Sequence, residues 1–438
     1  MMFAYQLRTA SGALRRNPGH TAIVAGGIAL GVAVSTLFAT VRHSFAKDPI
    51  PSKSDVLYHV RMDSWGSGEP YPGDRPPTQI TYQDMLNLMR SDIPVRQSGM
   101  FKSSLYVFPD PSVGRPRKEM VRLVFSDFFT MFDVPFRYGA PWDRSIDDRS
   151  EQVVVLGSDM NDRLFGGEDS VGRTVRIEDR EFRVVGVLDD WKPKIKFYDL
   201  TQGHAQPVEQ IFIPFSLMRP MEIRTAGNSD GWKNNVQTGW AGLLSSETVW
   251  IQFWVELPPD RVEAYRDFVD AYTLDQRRHG RFPRPLDNRI QTVAEWSAEQ
   301  KIIPREVNAM MVVSLLFLLI CALNLIGLLL GKFLARASEI GVRRAMGARR
   351  FDIFAQHIVE CELVALVGGA IGLALAFAGV FAVNQWSETL MQRDDFFSID
   401  WRMALFAVLA ALVAGLIAGI YPAARVCRIA PATHLKNQ

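Results

Sequence analysis

Four stretches of this 438-residue chain carry no Asp, Glu, Lys or Arg: Thr21–Val41, Val307–Gly331, Leu363–Ser387 and Met403–Ala424. Each is at least 21 residues long, enough for a helix rising about 1.5 Å per residue to cross a hydrocarbon core about 30 Å thick. Within a bilayer each backbone polar group must be satisfied inside the segment, so such runs are read as helices. The averages conceal this segregation. Mean hydropathy is +0.01, 22% of residues are charged, and 49 basic side chains face 47 acidic ones, values that suit an ordinary soluble protein. The first run follows Arg15 and Arg16 as a signal peptide would. Its apolar segment is too long for that, and the only small-residue cleavage site, Ser44-Phe45-Ala46, is weak. The spacing therefore predicts an α-helical membrane protein with four transmembrane helices, at 21–41, 307–331, 363–387 and 403–424, plus one large extracytoplasmic α+β domain.

Lys and Arg near the span ends set the orientation. Arg8, Arg15 and Arg16 precede the first span, and Arg425, Arg428 and Lys436 follow the fourth. The 332–362 connection carries Lys332, Arg336, Arg343, Arg344, Arg349 and Arg350, whereas the 388–402 loop is mostly acidic, with Glu388, Asp394, Asp395 and Asp400. Both termini and the 332–362 connection are thus predicted to be cytoplasmic, and 42–306 and 388–402 to lie outside. Within 1–20, Phe3, Leu7, Ala10 and Leu14 share one face of an amphipathic interfacial helix, and 425–438 forms a short tail.

In the outer domain, strand patterns at Val56–Met62 and Ser104–Phe108 flank a helix pattern at Thr81–Arg90. The order recurs at the far end, with strands Val249–Leu257 and Arg289–Val293 around a helix at Val262–Arg277. This predicts a split β-α-β domain with an inserted strand-rich subdomain at 125–247. The insert has strands near Gln152–Leu156, Arg173–Ile177 and Arg183–Leu188, and a short helix capped by Ser158. Residues 190–246 read as loops with occasional strands, and 294–303 as a polar helix. The domain has no cysteine, and at 265 residues it is large enough to bury a core without disulfides.

No metal-ligand spacing occurs. The span interiors hold no Asp, Glu, Lys, Arg or His, which argues against an ion-coupled transporter. Each span carries a Gly-x-x-x-Gly pair: Gly27/Gly31, Gly327/Gly331, Gly368/Gly372 and Gly415/Gly419. Such pairs let helix backbones approach closely, either within the chain or against a second copy. In the basic connection, Ser338 and Glu339 suit a helix N-terminus and Gly347 a helix end. Topology explains arginines in that connection but not their order.

The run Arg336…Glu339-Ile340-Gly341…Arg343-Arg344-Ala345…Gly347-Ala348 resembles the coupling segment of FtsX/MacB-type ABC-transporter permeases. Val153-Val154-Val155-Leu156-Gly157…Leu164-Phe165-Gly166-Gly167…Val184-Val185-Gly186-Val187-Leu188 is similar to the outer-domain signature of the MacB branch. Tyr421-Pro422-Ala423-Ala424-Arg425…Ile429-Ala430-Pro431 is similar to the family's C-terminus, departing at Ala424 and His434. The resemblance implies a porter-like split subdomain and a dimer of permease subunits, identical or related, on a cytoplasmic ABC ATPase dimer. It also implies contact with membrane lipid, leaves room for a periplasmic adaptor protein, and involves no nucleic acid. Arg336, Glu339, Ile340, Gly341, Arg343, Arg344 and Gly347 would form the ATPase-coupling site. Gly331-Lys332 is followed by Phe333, and Ile326 stands where a P-loop needs its first glycine. ATP and Mg would therefore be bound by a separate polypeptide, leaving this chain non-catalytic and without a cofactor.

These readings predict a permease of the bacterial cytoplasmic membrane that turns ATPase motion into motion of its periplasmic domain, extruding an amphiphilic compound, peptide or lipid-linked cargo. The rival reading is a membrane-anchored extracytoplasmic sensor, which a cytoplasmic segment of about 30 residues ill suits. A membrane enzyme is a third. His43, His59, His204 and His279 stand in no catalytic spacing.

Overall fold

The computed structural model describes residues 18–67, 75–109, 115–201, 206–233, 239–391 and 397–428. The proposed helix within 1–20 lies almost wholly outside them, as does His204. The chain divides into two compact units. One joins the two ends of the sequence, and the other is Asp48–Ile302.

The chain enters the second unit from helix α1 (Pro18–Ala46). There β1 (Leu57–Arg61), β2 (Ile80–Thr81), α2 (Tyr82–Leu88) and β3 (Arg96–Phe108) come first, and β10 (Val249–Glu256), α7 (Val262–Arg278) and β11 (Arg289–Thr292) come last. These strands lie in the order β11-β1-β10-β3, all antiparallel, with β2 beside β10. Renumbered among themselves as 4-1-3-2, the four main strands form a split β-α-β sheet. Thr81 caps α2 by accepting the Asp84 N–H. Apolar residues Met85 and Leu88 of α2 and Tyr265 and Val269 of α7 are buried in the common core.

The expected insert begins earlier than residue 125. β3 is 13 residues long, not the five read from its alternation. Its first half pairs with β10, and from Phe101 to Val107 it pairs with β4 (Arg117–Val124). The same strand therefore serves both subdomains. Beyond it the path continues β4-β9-β6-β8-β5 through β9 (Ile211–Pro214), β6 (Val153–Leu156), β8 (Arg180–Leu188) and β5 (Phe136–Gly139), with β7 (Thr174–Ile177) beside β3 and β8. Short helices α3 (Asp127–Met131), α4 (Arg144–Arg149), α5 (Ser158–Phe165) and α6 (Gly239–Leu244) attach to it. Gly157, not Ser158, is the cap residue of α5, and no side chain caps that helix. Gly166 closes α5 at φ +70°, a conformation that favours glycine. The polar helix expected at 294–303 is α8 (Val293–Glu299), held by a Thr292–Glu295 capping box.

In the first unit α1 packs with α9 (Arg305–Leu334), α11 (Arg350–Met391) and α12 (Trp401–Cys427), while α10 (Ala337–Ala345) lies between α9 and α11 in sequence. The four long helices are each long and apolar enough to cross a membrane. Their outward faces expose Ile23, Leu30, Val313, Leu316 and Phe381, as suits lipid rather than water.

Candidate coupling site

Small residues determine how the membrane helices approach one another. A Cβ on Gly368 or Gly372 would sit 2.7 and 2.6 Å from the carbonyl oxygens of Ala25 and Ala29, so α11 meets α1 backbone to backbone. Gly27 and Gly31 contact Leu325 and Leu318 of α9, and Gly415 and Gly419 contact Ala365 and Cys361 of α11. Three of the four pairs thus serve packing within the chain. Gly327 and Gly331 face open space.

Helix α10 begins where α9 ends. Arg336 is its cap residue, and Ser338 lies inside the first turn without capping it. Its C-terminus turns at Gly347, φ +101°, where the Gly347 and Ala348 N–H groups donate to the carbonyls of Arg344 and Arg343. The predicted coupling residues divide between two faces. Ala337 and Ile340 are buried, Ile340 in one cluster with Phe333, Ile353 and Cys427, so Ile340 anchors the helix rather than facing a partner. Arg336 lies 3.7 Å from the buried Glu360 carboxylate, and Arg344 reaches the Cys427 carbonyl at 3.4 Å. On the open face, Glu339 and Arg343 form an ion pair at 2.6 Å with about half of each side chain exposed. A Cβ added at Gly341 would meet nothing within 4 Å. Val342 and the cap residue Met346 extend this face, and Phe351 is exposed at the start of α11, Met346 and Phe351 being 76% and 74% exposed. Sequence reasoning passed over these three apolar side chains, although their presence in a basic connection was a visible signal.

The uncharged runs hold no Asp, Glu, Lys, Arg or His, but α9 and α11 continue beyond them into ionisable residues. Lys332, His357 and Glu360 are buried, with Lys332 Nζ 2.7 Å from Glu360 Oε1. Both carboxylate oxygens of Glu362 are also buried, beside Gly415.

The stretch read as loops, 190–246, supplies a second buried polar cluster. Arg122 of β4 donates to Glu209 at 2.8 Å through Nε and Nη2 and to Asp199 at 2.5 Å, and Lys196 donates to Glu209 at 2.5 Å. Burial opposes ionisation of Asp199 and Glu209, but the Arg122 and Lys196 charges outweigh it, holding Asp199 well below the usual carboxylate range and Glu209 at about 2. The cluster ties Lys196, Asp199 and Glu209 to the sheet through Arg122. A cleft of about 420 Å³ is lined by residues that include Leu86, Met89, Val95, Phe125, Asp127 and Asp147. Asp147 is raised by burial to about 6, although the Ser126 N–H and the Trp142 indole both donate to it. No group of three or more potential metal ligands occurs among the described residues.

Residues 21–271 match the MacB-like periplasmic core domain, and residues 311–431 match the FtsX-like permease C-terminal domain. The chain belongs to the MacB/FtsX family of permeases. Among curated relatives, the macrolide export ATP-binding/permease protein MacB 1 of Yersinia pestis bv. Antiqua (strain Antiqua) is 25% identical over 455 aligned positions, covering 97% of this chain and 59% of that protein. MacB of Escherichia coli (strain K12) is 23% identical with the same coverage. The chain thus spans 59% of the length of these relatives. Among solved structures, the periplasmic region of MacB from Actinobacillus actinomycetemcomitans aligns with 58% of this chain and 95% of its own, at 16% identity and a TM-score of 0.37. The extracellular domain of the transporter YknZ aligns with 54% of this chain at 11% identity and a TM-score of 0.35. This family membership makes the chain a membrane protein with a periplasmic domain, Asp48–Ile302.

Proposed function

We propose that the chain is the permease subunit of an ABC exporter whose ATP is bound and hydrolysed by a separate cytoplasmic ATPase dimer. Two permease subunits, identical or related, would stand on that dimer, with both termini cytoplasmic. Closure of the ATPases would move α10, and the long helices would carry the movement to the periplasmic domains. Lipid surrounds the helices, and a periplasmic adaptor would extend the path outward. The cargo would be an amphiphilic compound, peptide or lipid-linked molecule released on the outer side.

The observation that carries this reading is the open face of α10. It presents Val342 and Met346 beside the Glu339–Arg343 pair, and Phe351 stands exposed at the start of α11. Apolar anchors with a charged rim are what a protein partner recognises. Affinity purification of the chain from its own membranes should bring down a nucleotide-binding subunit, and the complex should hydrolyse ATP. Chain freed of that subunit should not. ATP hydrolysis by the rigorously isolated chain would overturn the reading.

A further inference from the structure

We infer that Glu360 is the positioning residue that fixes the coupling helix to the membrane helices, its buried carboxylate meeting Lys332, Arg336 and His357. The inference rests on the role proposed above for α10 and adds how that helix is held. Glu360 lies on α11, less than three turns from its start at Arg350, and is 3% exposed. Its Oε1 is 2.7 Å from Lys332 Nζ on the last turn of α9 and 3.7 Å from Arg336 Nη1, the cap residue of α10. Its Oε2 is 3.7 Å from His357 Nδ1, whose ring lies 4.3 Å from that of Phe333. One carboxylate therefore touches α9, the start of α10 and its own helix α11.

The need for such a clasp follows from the size of α10. A nine-residue helix is marginal by itself in water, so its form and place depend on what it is tied to. Its apolar insertion is small, limited to Ala337 and Ile340. Its other polar ties, from Arg343 to Gln356 and from Arg344 to the Cys427 carbonyl, are both 3.4 Å long. The Arg336–Glu360 contact, at 3.7 Å, is no shorter than these, but Glu360 is itself buried and held at 2.7 Å by Lys332, where low dielectric strengthens a charge pair and makes an unpaired charge costly. Apolar side chains of similar volume would often fill such a space without loss of stability. An apolar contact is also non-directional, so it would not fix the direction in which α10 leaves α9. The ion pair fixes that direction.

Hydrogen exchange of the purified full chain tests this without any ATPase. Glu360→Gln should raise exchange across 336–346 at least tenfold, while the central turns of α9 and α11 exchange as in the unaltered chain. Lys332→Met should do the same, and Lys332→Arg should restore protection. The double variant Lys332→Met/Glu360→Leu should recover the thermal midpoint but leave 336–346 fast, because Arg336 has lost its acceptor. In complex with the co-purifying ATPase, that double variant should lose most of the ATP-driven change in the periplasmic domain. Unchanged exchange at 336–346 in Glu360→Gln would overturn the inference, as would an equal rise along all helices. A double variant with normal protection of α10 would overturn it too. If the unaltered complex shows no ATP-driven change while the exchange results hold, the proposed function fails and the clasp stands.

Discussion

At the residue scale, the periplasmic domain depends on charges hidden from its sequence pattern. Arg122 was invisible as a core residue because a lone arginine on an alternating strand reads as a solvent-facing position. What buries it is Asp199 and Glu209, 77 and 87 residues away. Arg122→Met should destabilise the full chain by about 3–5 kcal/mol, since two carboxylates lose their compensating charge, and a denaturation midpoint in detergent measures it. His59 carries a pH signature. It is wholly buried against the Trp254 and Trp296 rings, and both ring nitrogens lack a hydrogen-bond partner. Burial, aided by the Arg61 charge, holds its pKa well below 6.5. A depressed histidine stays neutral when folded but takes a proton when unfolded, so its contribution to stability is full above pH about 6.5 and declines below it. Asp147 acts oppositely. Its carboxyl is raised from 3.8 to about 6, so its ionisation weakens the fold as pH rises through 6. The thermal midpoint should fall from pH 7 to 5 less steeply in His59→Phe than in the unaltered chain. Identical slopes would remove His59 from the account.

At the element scale, most of the fold was legible where the pattern was local. The two β-α-β units emerge because their strands alternate and their helices carry apolar stripes, and the four long helices because charge is absent from them. Two features were not legible. The length of β3 depends on successive partners, β10 and then β4, and its Arg96-Gln97-Ser98-Gly99 start has no strand alternation of its own. Strand β9 is only four residues within a Pro- and Gly-rich stretch, and it is a strand because β4 and β6 lie on either side. For the candidate site, the identity of α10 could be read from sequence, but not which side faced inward. Ile340 and Arg336 turned to the bundle because Phe333 and Glu360 offered them burial and a countercharge. The exposed Glu339–Arg343 pair contributes only a few tenths of a kcal/mol to the chain by itself. At a buried interface the loss of either partner costs about 2–5 kcal/mol. Glu339→Ala or Arg343→Ala should therefore leave the midpoint of the isolated chain unchanged and weaken ATPase association by tenfold or more. Gly341→Trp should act likewise, since the chain itself leaves room there. Equal affinity of all three variants for the ATPase would reduce α10 to a charged connection.

At the scale of the whole molecule, the account joins a helical unit built on close glycine contacts to a periplasmic domain held by its own core. Tight contacts such as Gly368 and Gly372 on the carbonyls of α1 make the helices a stiff element, suited to carrying movement. Topology comes first. With Cys321, Cys361 and Cys427 replaced, cysteine at Ser229 should react with a membrane-impermeant thiol reagent in intact cells, and cysteine at Ser338 should not. Transmission is the central claim, and a distance measurement addresses it most directly. Spin labels at Ser229 of two permease subunits, in a lipid-reconstituted complex with the ATPase, should change separation when ATP binds. The change should vanish in Glu339→Ala/Arg343→Ala although ATP still binds to the ATPase. An unaltered complex that hydrolyses ATP with no change in that distance, or a double variant that moves as the unaltered complex does, would contradict the account.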